Sequence, residues 1–168
     1  AEYIRDGMKW KQWSDNMHRL ATEAKLNGLH VMATPSVLSI MEIRQFLDWC
    51  LYFKRLYGRD YPTFTLNILR FPSFQSVTVL PEGMRYFAAK YLKDWLEENK
   101  DEKLLHDMER DHVARLANYL GTVQQAHDGA SPTDKLKVDL KNFLIQYDKR
   151  RGKDIKLSCP EIAEWLNI

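Results

Sequence analysis

Apolar residues recur at three- and four-residue steps from the start of the chain, at Trp10, Trp13, Met17, Leu20, Ala21 and Ala24. That spacing predicts a helix with one buried face. Asn27-Gly28 is expected to end it, since both residues tolerate the left-handed conformation found just past helix ends. Leu29 to Thr34 is short, apolar and bounded by Gly28 and Pro35, which predicts a buried strand. Ser39-Ile40-Met41-Glu42 has the spacing of a capping box, so a second helix is expected to begin there. Its stripe of Ile43, Phe46, Leu47, Cys50 and Leu51 runs to Tyr57-Gly58, where glycine supplies a stop. Between Pro62 and Pro72, Thr63 to Phe71 is rich in β-branched and aromatic residues, which predicts a second strand.

Helix, strand, helix, strand implies a right-handed crossover within a parallel sheet. Two parallel strands are not self-sufficient, because parallel sheets are normally covered on both faces and built from more strands. Residues 1–80 are therefore expected to belong to a larger sheet. From Pro81 the pattern turns helical, giving a second region over 81–168. Met84, Phe87, Ala88, Tyr91, Leu92, Trp95 and Leu96 form its first stripe, and a helix expected after Asn99 turns Leu105, Met108, Leu116, Tyr119 and Leu120 inward. Gly121 to Gly129 reads as a polar link. Ser131-Pro132 then offers an N-cap followed by proline at the first helical position, with Leu136, Leu140, Phe143, Leu144 and Tyr147 as the buried face. Ser158-Cys159-Pro160-Glu161 repeats the capping-box spacing ahead of a short last helix through Trp165.

Composition narrows the chemistry. A chain of 168 residues that is 45% hydrophobic and 29% charged has the mix of an ordinary folded protein, and its length suffices for one core burying roughly 70% of the unfolded surface. No apolar run reaches the roughly 20 residues of a membrane span, and the first ten residues have no signal-peptide core, so a cytosolic protein is expected. Cys50 and Cys159 are the only thiols and lie too far apart in sequence for a disulfide framework or a paired metal site. A net charge of +2 lacks the one-sided basic field of nucleic-acid binding. The run Lys149-Arg150-Arg151-Gly152-Lys153 reads as a hydrated helix end. Glu109-x-x-His112 has the spacing of a di-iron ligand pair but occurs once, where such sites need two copies and more glutamates. His106 is off the face of His112, and His18, His30 and His127 have no evident companions. No serine in a strand-turn nucleophile context supports hydrolysis.

Four stretches in order resemble the second half of radical S-adenosylmethionine enzymes with a twitch- or SPASM-like C-terminal region. They are Tyr3-Ile4-Arg5-Asp6-Gly7-Met8-Lys9-Trp10 with Asn16 and Leu20, Thr34 to Ile40, Leu66 to Pro72 with Val79-Leu80-Pro81, and Tyr147 to Gly152 with Pro160-Glu161. The resemblance implies an α/β fold, the later strands and helices of a partial parallel (β/α) barrel followed by a mainly helical C-terminal region. It also implies S-adenosylmethionine and a [4Fe-4S] cluster in the complete enzyme, with radical hydrogen abstraction from a peptide or small-molecule substrate. Such clusters are held by a three-cysteine motif on one loop, and this chain has neither that motif nor the glycine-glycine-glutamate segment that meets the cofactor's amino group. A missing N-terminal half, or a partner chain, is expected to supply both. Thr34 and Ser36 are then candidate polar contacts at a strand's carboxyl end, and Leu69, Arg70 and Pro72 candidates near the adenine. Arg5 could face a carboxylate. Leu69 equally suits a core position, and Arg5 or Arg70 a surface charge. The alternative function is a non-enzymatic helical interaction module that binds a partner protein.

Overall fold

The computed structural model describes residues 2–121 and 132–168. In chain order the elements are α1 (Trp10–Glu23), β1 (His30–Ala33), α2 (Ile43–Tyr57), β2 (Thr63–Leu66), α3 (Glu82–Glu98), α4 (Asp107–Leu120), α5 (Pro132–Arg151), α6 (Ile155–Ser158) and α7 (Pro160–Leu166). Short 3-10 turns occupy Ile40–Glu42, Ser73–Gln75 and Val77–Val79. The link expected beyond Gly121, the Ser131 N-cap and His127 lie outside the described residues. Among the described residues no helix is long and apolar enough to cross a membrane.

The two strands pair in parallel with a helix between them, as the sequence predicts, but the sheet ends there. The molecule is a mostly helical fold carrying one two-stranded sheet, and the expected part of a (β/α) barrel is corrected accordingly. The strands are also short, and the reason lies at Pro35. Thr63 N–H donates to Leu29 O at 2.9 Å and Asn67 N–H to Ala33 O at 2.8 Å, so odd-numbered residues of β1 turn their backbone groups toward β2. Residue 35 would continue that series, yet proline has no N–H to donate. The ladder therefore stops at Ala33 and Leu66, and the strand expected to reach Phe71 turns away after four residues.

Register places His30 opposite Thr63, Val31 opposite Phe64, Met32 opposite Thr65 and Ala33 opposite Leu66. Phe64 and Leu66 face the core and are fully buried. β1, expected to be buried, alternates between exposed and half-buried instead, because it forms the sheet's edge. The outer edge of β2 is closed by α4. Phe64 N–H donates to Glu109 Oε1 at 3.0 Å, Leu66 N–H reaches His112 Nδ1 at 3.4 Å, and Arg115 donates to Leu66 O at 2.8 Å.

Glu109 does more than close an edge. Its carboxylate lies 3.0 Å from the Lys54 ammonium on α2, and neither side chain has any solvent exposure. Lys54 also donates to Arg59 O, and Glu109 Oε2 accepts from His106 N–H at 2.8 Å, at the start of α4. Around this pair one apolar cluster extends from Tyr3 to Leu166, including Leu47, Phe64, Leu92, Trp95, Val113 and Leu116. Trp95 donates its indole N–H to Asp48 Oδ1 at 2.8 Å, which joins α3 to α2.

Several helix ends differ from expectation. α1 ends at Glu23 with Ala24 extended, not at Asn27-Gly28. Gly28 serves close packing, since a Cβ there would lie 3.0 Å from Asp60 O. Gly58 does stop α2, at φ 105°. Ser39 makes no cap: its Oγ accepts from Ser36 N–H at 3.0 Å, and α2 starts only after a 3-10 turn. Ser158 closes α6, while α7 begins on Pro160 with Cys159 as an N-cap whose side chain makes no capping bond. Leu20, Phe87, Tyr91 and Met108, expected inward, are exposed.

Truncating Glu109 leaves a buried ammonium unpaired and strips the acceptors from two backbone N–H groups. Glu109→Ala is therefore expected to lose about 3–5 kcal/mol of stability, measured by denaturant unfolding. Lys54→Met combined with Glu109→Gln should recover part of that loss, and strict additivity of the two single changes would count against the pairing.

Candidate functional site at the strand ends

Because the strands are parallel, the loops that leave them emerge at the same end of the sheet. They are joined there by Val37 N–H donating to Gln75 O at 2.9 Å. The loop after β1 is a tight turn, in which Ser36 O accepts from Ser39 and Ile40 N–H, each at 3.0 Å. Ser36 Oγ accepts from Leu38 N–H at 3.3 Å and lies 3.5 Å from Ser39 Oγ, so this buried hydroxyl shapes the turn. Thr34, just before it, is exposed. In the loop after β2, Leu69 is half-buried, Arg70 exposed and Pro72 half-buried behind a cis peptide bond.

Aromatic packing brings in the N-terminal segment. Phe74 sits 5.3 Å from Phe143 of α5 between ring centroids, Phe143 5.7 Å from Tyr147, and Tyr147 5.3 Å from Tyr3. Tyr147 Oη lies 3.0 Å from Tyr3 O and 3.1 Å from Ile4 O. Tyr3 Oη in turn donates to Asp148 Oδ1 at 2.6 Å, and Asp148 Oδ2 accepts from Ile155 N–H at 2.9 Å. Burial first, and then the Asp148 carboxylate, push the Tyr3 phenol well above its ordinary range. Arg5 is exposed on this strap, with Asp6 held by Arg151 at 3.1 Å.

Five of the six candidates, Thr34, Ser36, Leu69, Arg70 and Pro72, thus lie on two loops bonded to each other. Arg5 reaches them only through the aromatic chain. Phe143 and Tyr147 were legible as a buried face, but nothing in their spacing linked them to Tyr3 or Phe74. Sequence reasoning also missed Phe71, which is 87% exposed between two of the candidates.

The donor set decides what can be held here. Among the described residues no group of three His, Cys, Asp or Glu side chains could hold a metal ion. Cys50 lies deep in the core, where burial and then Glu109 push its thiol well above the ordinary range despite Lys54. Cys159 donates toward Leu38 O at 3.6 Å, and its thiol is pushed up to about 11, by burial first and then by Glu42 and Glu161. These sulfurs do not fit an iron–sulfur cluster, which takes thiolates converging on one point. Exposed guanidinium groups at Arg5 and Arg70, exposed Thr34 and half-buried Leu69 and Pro72 are what the remaining candidates present to solvent. Compared with known proteins, the chain matches no family model, no curated protein and no solved structure.

A thiol pushed up to about 11 carries little thiolate near neutrality. Alkylation of Cys159 by iodoacetamide at mildly alkaline pH should run at least about tenfold slower than in the unfolded chain, with Cys50 slower still. Mass spectrometry of the labelled peptides reads both rates, and a fast Cys159 would contradict the burial described.

Proposed function

We propose that this chain forms the cofactor- and substrate-facing part of a radical S-adenosylmethionine enzyme whose [4Fe-4S] cluster is carried by polypeptide outside these residues. One observation carries the reading. Two segments that resemble parts of those enzymes, Thr34 to Ile40 and Leu66 to Pro72, leave the carboxyl ends of one parallel strand pair on loops bonded to each other, and a third, Tyr3 to Trp10, connects to them through the rings of Tyr147, Phe143 and Phe74. That end is where parallel sheets receive ligands.

The roles follow from chemistry and exposure. Arg5 and Arg70 offer guanidinium groups to a carboxylate, which they can engage through paired N–H donors. Thr34 offers a hydroxyl to a ribose or amino group. Leu69 and Pro72 give the adenine an apolar flank, and Ser36 holds the turn that sets Thr34 in place. When bound beside a reduced cluster, S-adenosylmethionine supplies hydrogen abstraction from a peptide or small-metabolite substrate. The residues of this chain bind, orient and desolvate. No step is assigned to the cluster here, because neither thiol is available to hold it.

The test uses the longer gene product. Its upstream coding sequence should contain a Cys-x-x-x-Cys-x-x-Cys segment, and the purified protein should hold iron and bind S-adenosylmethionine. Arg70→Ala should weaken that binding about tenfold by calorimetry while leaving the iron content unchanged. Absence of the cysteine segment would sink the reading and favour the non-enzymatic interaction module.

A further inference from the structure

His18, which has no companion in the sequence, gains one in the fold. Its Nδ1 lies 2.8 Å from the Tyr57 hydroxyl across the contact between α1 and α2. A phenol is the better donor and an imidazole nitrogen the better acceptor, so Tyr57 Oη–H donates to His18 Nδ1. Both residues are half-buried, and the His18 ring also lies 4.7 Å from Phe53 between centroids. A phenylalanine at position 57 would keep the ring packing. The hydroxyl adds a proton held against a base.

That pair ends a row of rings. Trp10 and Trp13 of α1 stack at 4.9 Å, and Trp49 of α2 lies 5.5 Å from Trp10 and 4.9 Å from Trp13. Phe53 follows at 5.0 Å from Trp49, and Tyr57 at 4.7 Å from Phe53. Trp10 meets Trp49 and His18 meets Tyr57, so the two helices run side by side in the same direction, over a rise of about 12 Å. Trp10, Trp13 and Trp49 are half-buried, which leaves the start of the row open to solvent. Indole and phenol rings lose a single electron readily, and contiguous rings let the vacancy move in short steps. The two ends of the row differ in what they can do with a proton. Trp49 Nε1–H donates to Ser14 Oγ at 3.2 Å, and a neutral hydroxyl is too weak a base to take that proton. The Trp49 radical cation therefore stays strongly oxidising. Tyr57 can lose its electron and proton together, because the His18 nitrogen is already within proton-transfer distance. Oxidation thus runs toward Tyr57 and stops there.

We infer that the aromatic row between α1 and α2 is a path for one-electron oxidation, with Tyr57 as its final electron donor and His18 as the base. The oxidant it serves is an organic or oxygen-centred radical that arrives at Trp10. Trp10 gives that radical an electron and becomes a radical cation. Trp49, directly or through Trp13, gives an electron to Trp10. Tyr57 gives one to Trp49 while its hydroxyl proton passes to His18 Nδ1. One oxidant is reduced, one neutral tyrosyl radical and one imidazolium are formed, and the tryptophans are restored. This activity goes beyond the functional reading above and does not rest on it.

Flash photolysis of the 168-residue chain tests it. Lys9 is exposed and makes no capping bond, so Lys9→Cys places a thiol for labelling beside Trp10. The probe is a ruthenium tris-bipyridine complex coupled there and oxidised by a light flash in the presence of a cobalt(III) quencher. The transient spectrum should show a tryptophanyl radical giving way to a tyrosyl radical. Tyr57→Phe should abolish the tyrosyl signal and leave the tryptophanyl one, and Trp49→Phe should abolish the tyrosyl signal as well. His18→Leu should slow tyrosyl formation about a hundredfold. Each change keeps an apolar side chain in the row, and circular dichroism checks that the fold is retained. Heavy water supplies a second measurement with the row intact: tyrosyl formation should be slower there than in ordinary water. A tyrosyl signal that persists in Tyr57→Phe or Trp49→Phe, or its absence from the labelled parent, overturns the inference. Equal rates in heavy and ordinary water, or a rate unchanged by His18→Leu, overturn the proton transfer to His18 and with it the direction of the path.

Discussion

Where α2, α4 and β2 meet, a lysine ammonium and a glutamate carboxylate face each other at 3.0 Å with no exposure to solvent. Moving either charge out of water costs several kcal/mol, and mutual attraction offsets that only when the remaining donors and acceptors are also satisfied. Here they are. Arg59 O, Phe64 N–H and His106 N–H complete the set, so three backbone segments are fixed by one ion pair. The consequence reaches the sheet: a carboxylate that accepts from Phe64 occupies the place where a third strand would pair with β2. The sheet is thus closed on its β2 side by the same pair that joins α2 to α4.

Local chemistry was legible in the sequence wherever the forces were local. The three- and four-residue steps around Trp10 to Ala24, Ile43 to Leu51 and Pro81 to Leu96 correspond to helices, and the β-branched runs at Leu29 and Thr63 correspond to parallel strands. Two proline effects were read incompletely. Pro35 was taken as the boundary of one strand, although by ending the ladder it also shortens the other. Pro160 set the start of the last helix and left Ser158 on the preceding one, so the capping-box spacing there had no helix to cap. Amphipathic stripes name the face that can be buried, and Phe87, Tyr91 and Met108 show that they do not name what covers it. The buried pair was out of reach for the same reason. A lysine and a glutamate 55 positions apart have no periodic relation, so nothing in the sequence pairs them before α2 and α4 are placed together.

The candidate site divides along the same line. Thr34 and Ser36 follow one strand and Leu69 to Pro72 the other, so their proximity follows directly from parallel pairing. Ser36 changes role, because its hydroxyl is occupied in the turn. Arg5 has no such guarantee. Its place depends on rings from three separate parts of the chain, Tyr3, Tyr147 with Phe143, and Phe74, packing in series.

That series also closes the chain on itself. The Tyr3 to Asp148 bond joins residues 145 positions apart, and bringing together the ends of a loop that long costs about 4 kcal/mol in chain entropy before any constant term. A single hydrogen bond does not recover that, so the strap holds only as a group of the Tyr3 ring, the Tyr147 hydroxyl and the Asp6–Arg151 pair. Such a clasp is one cooperative unit. Arg5 rides on the clasp, so the cationic side of the strand-end site is assembled only in a chain whose two extremities have already met.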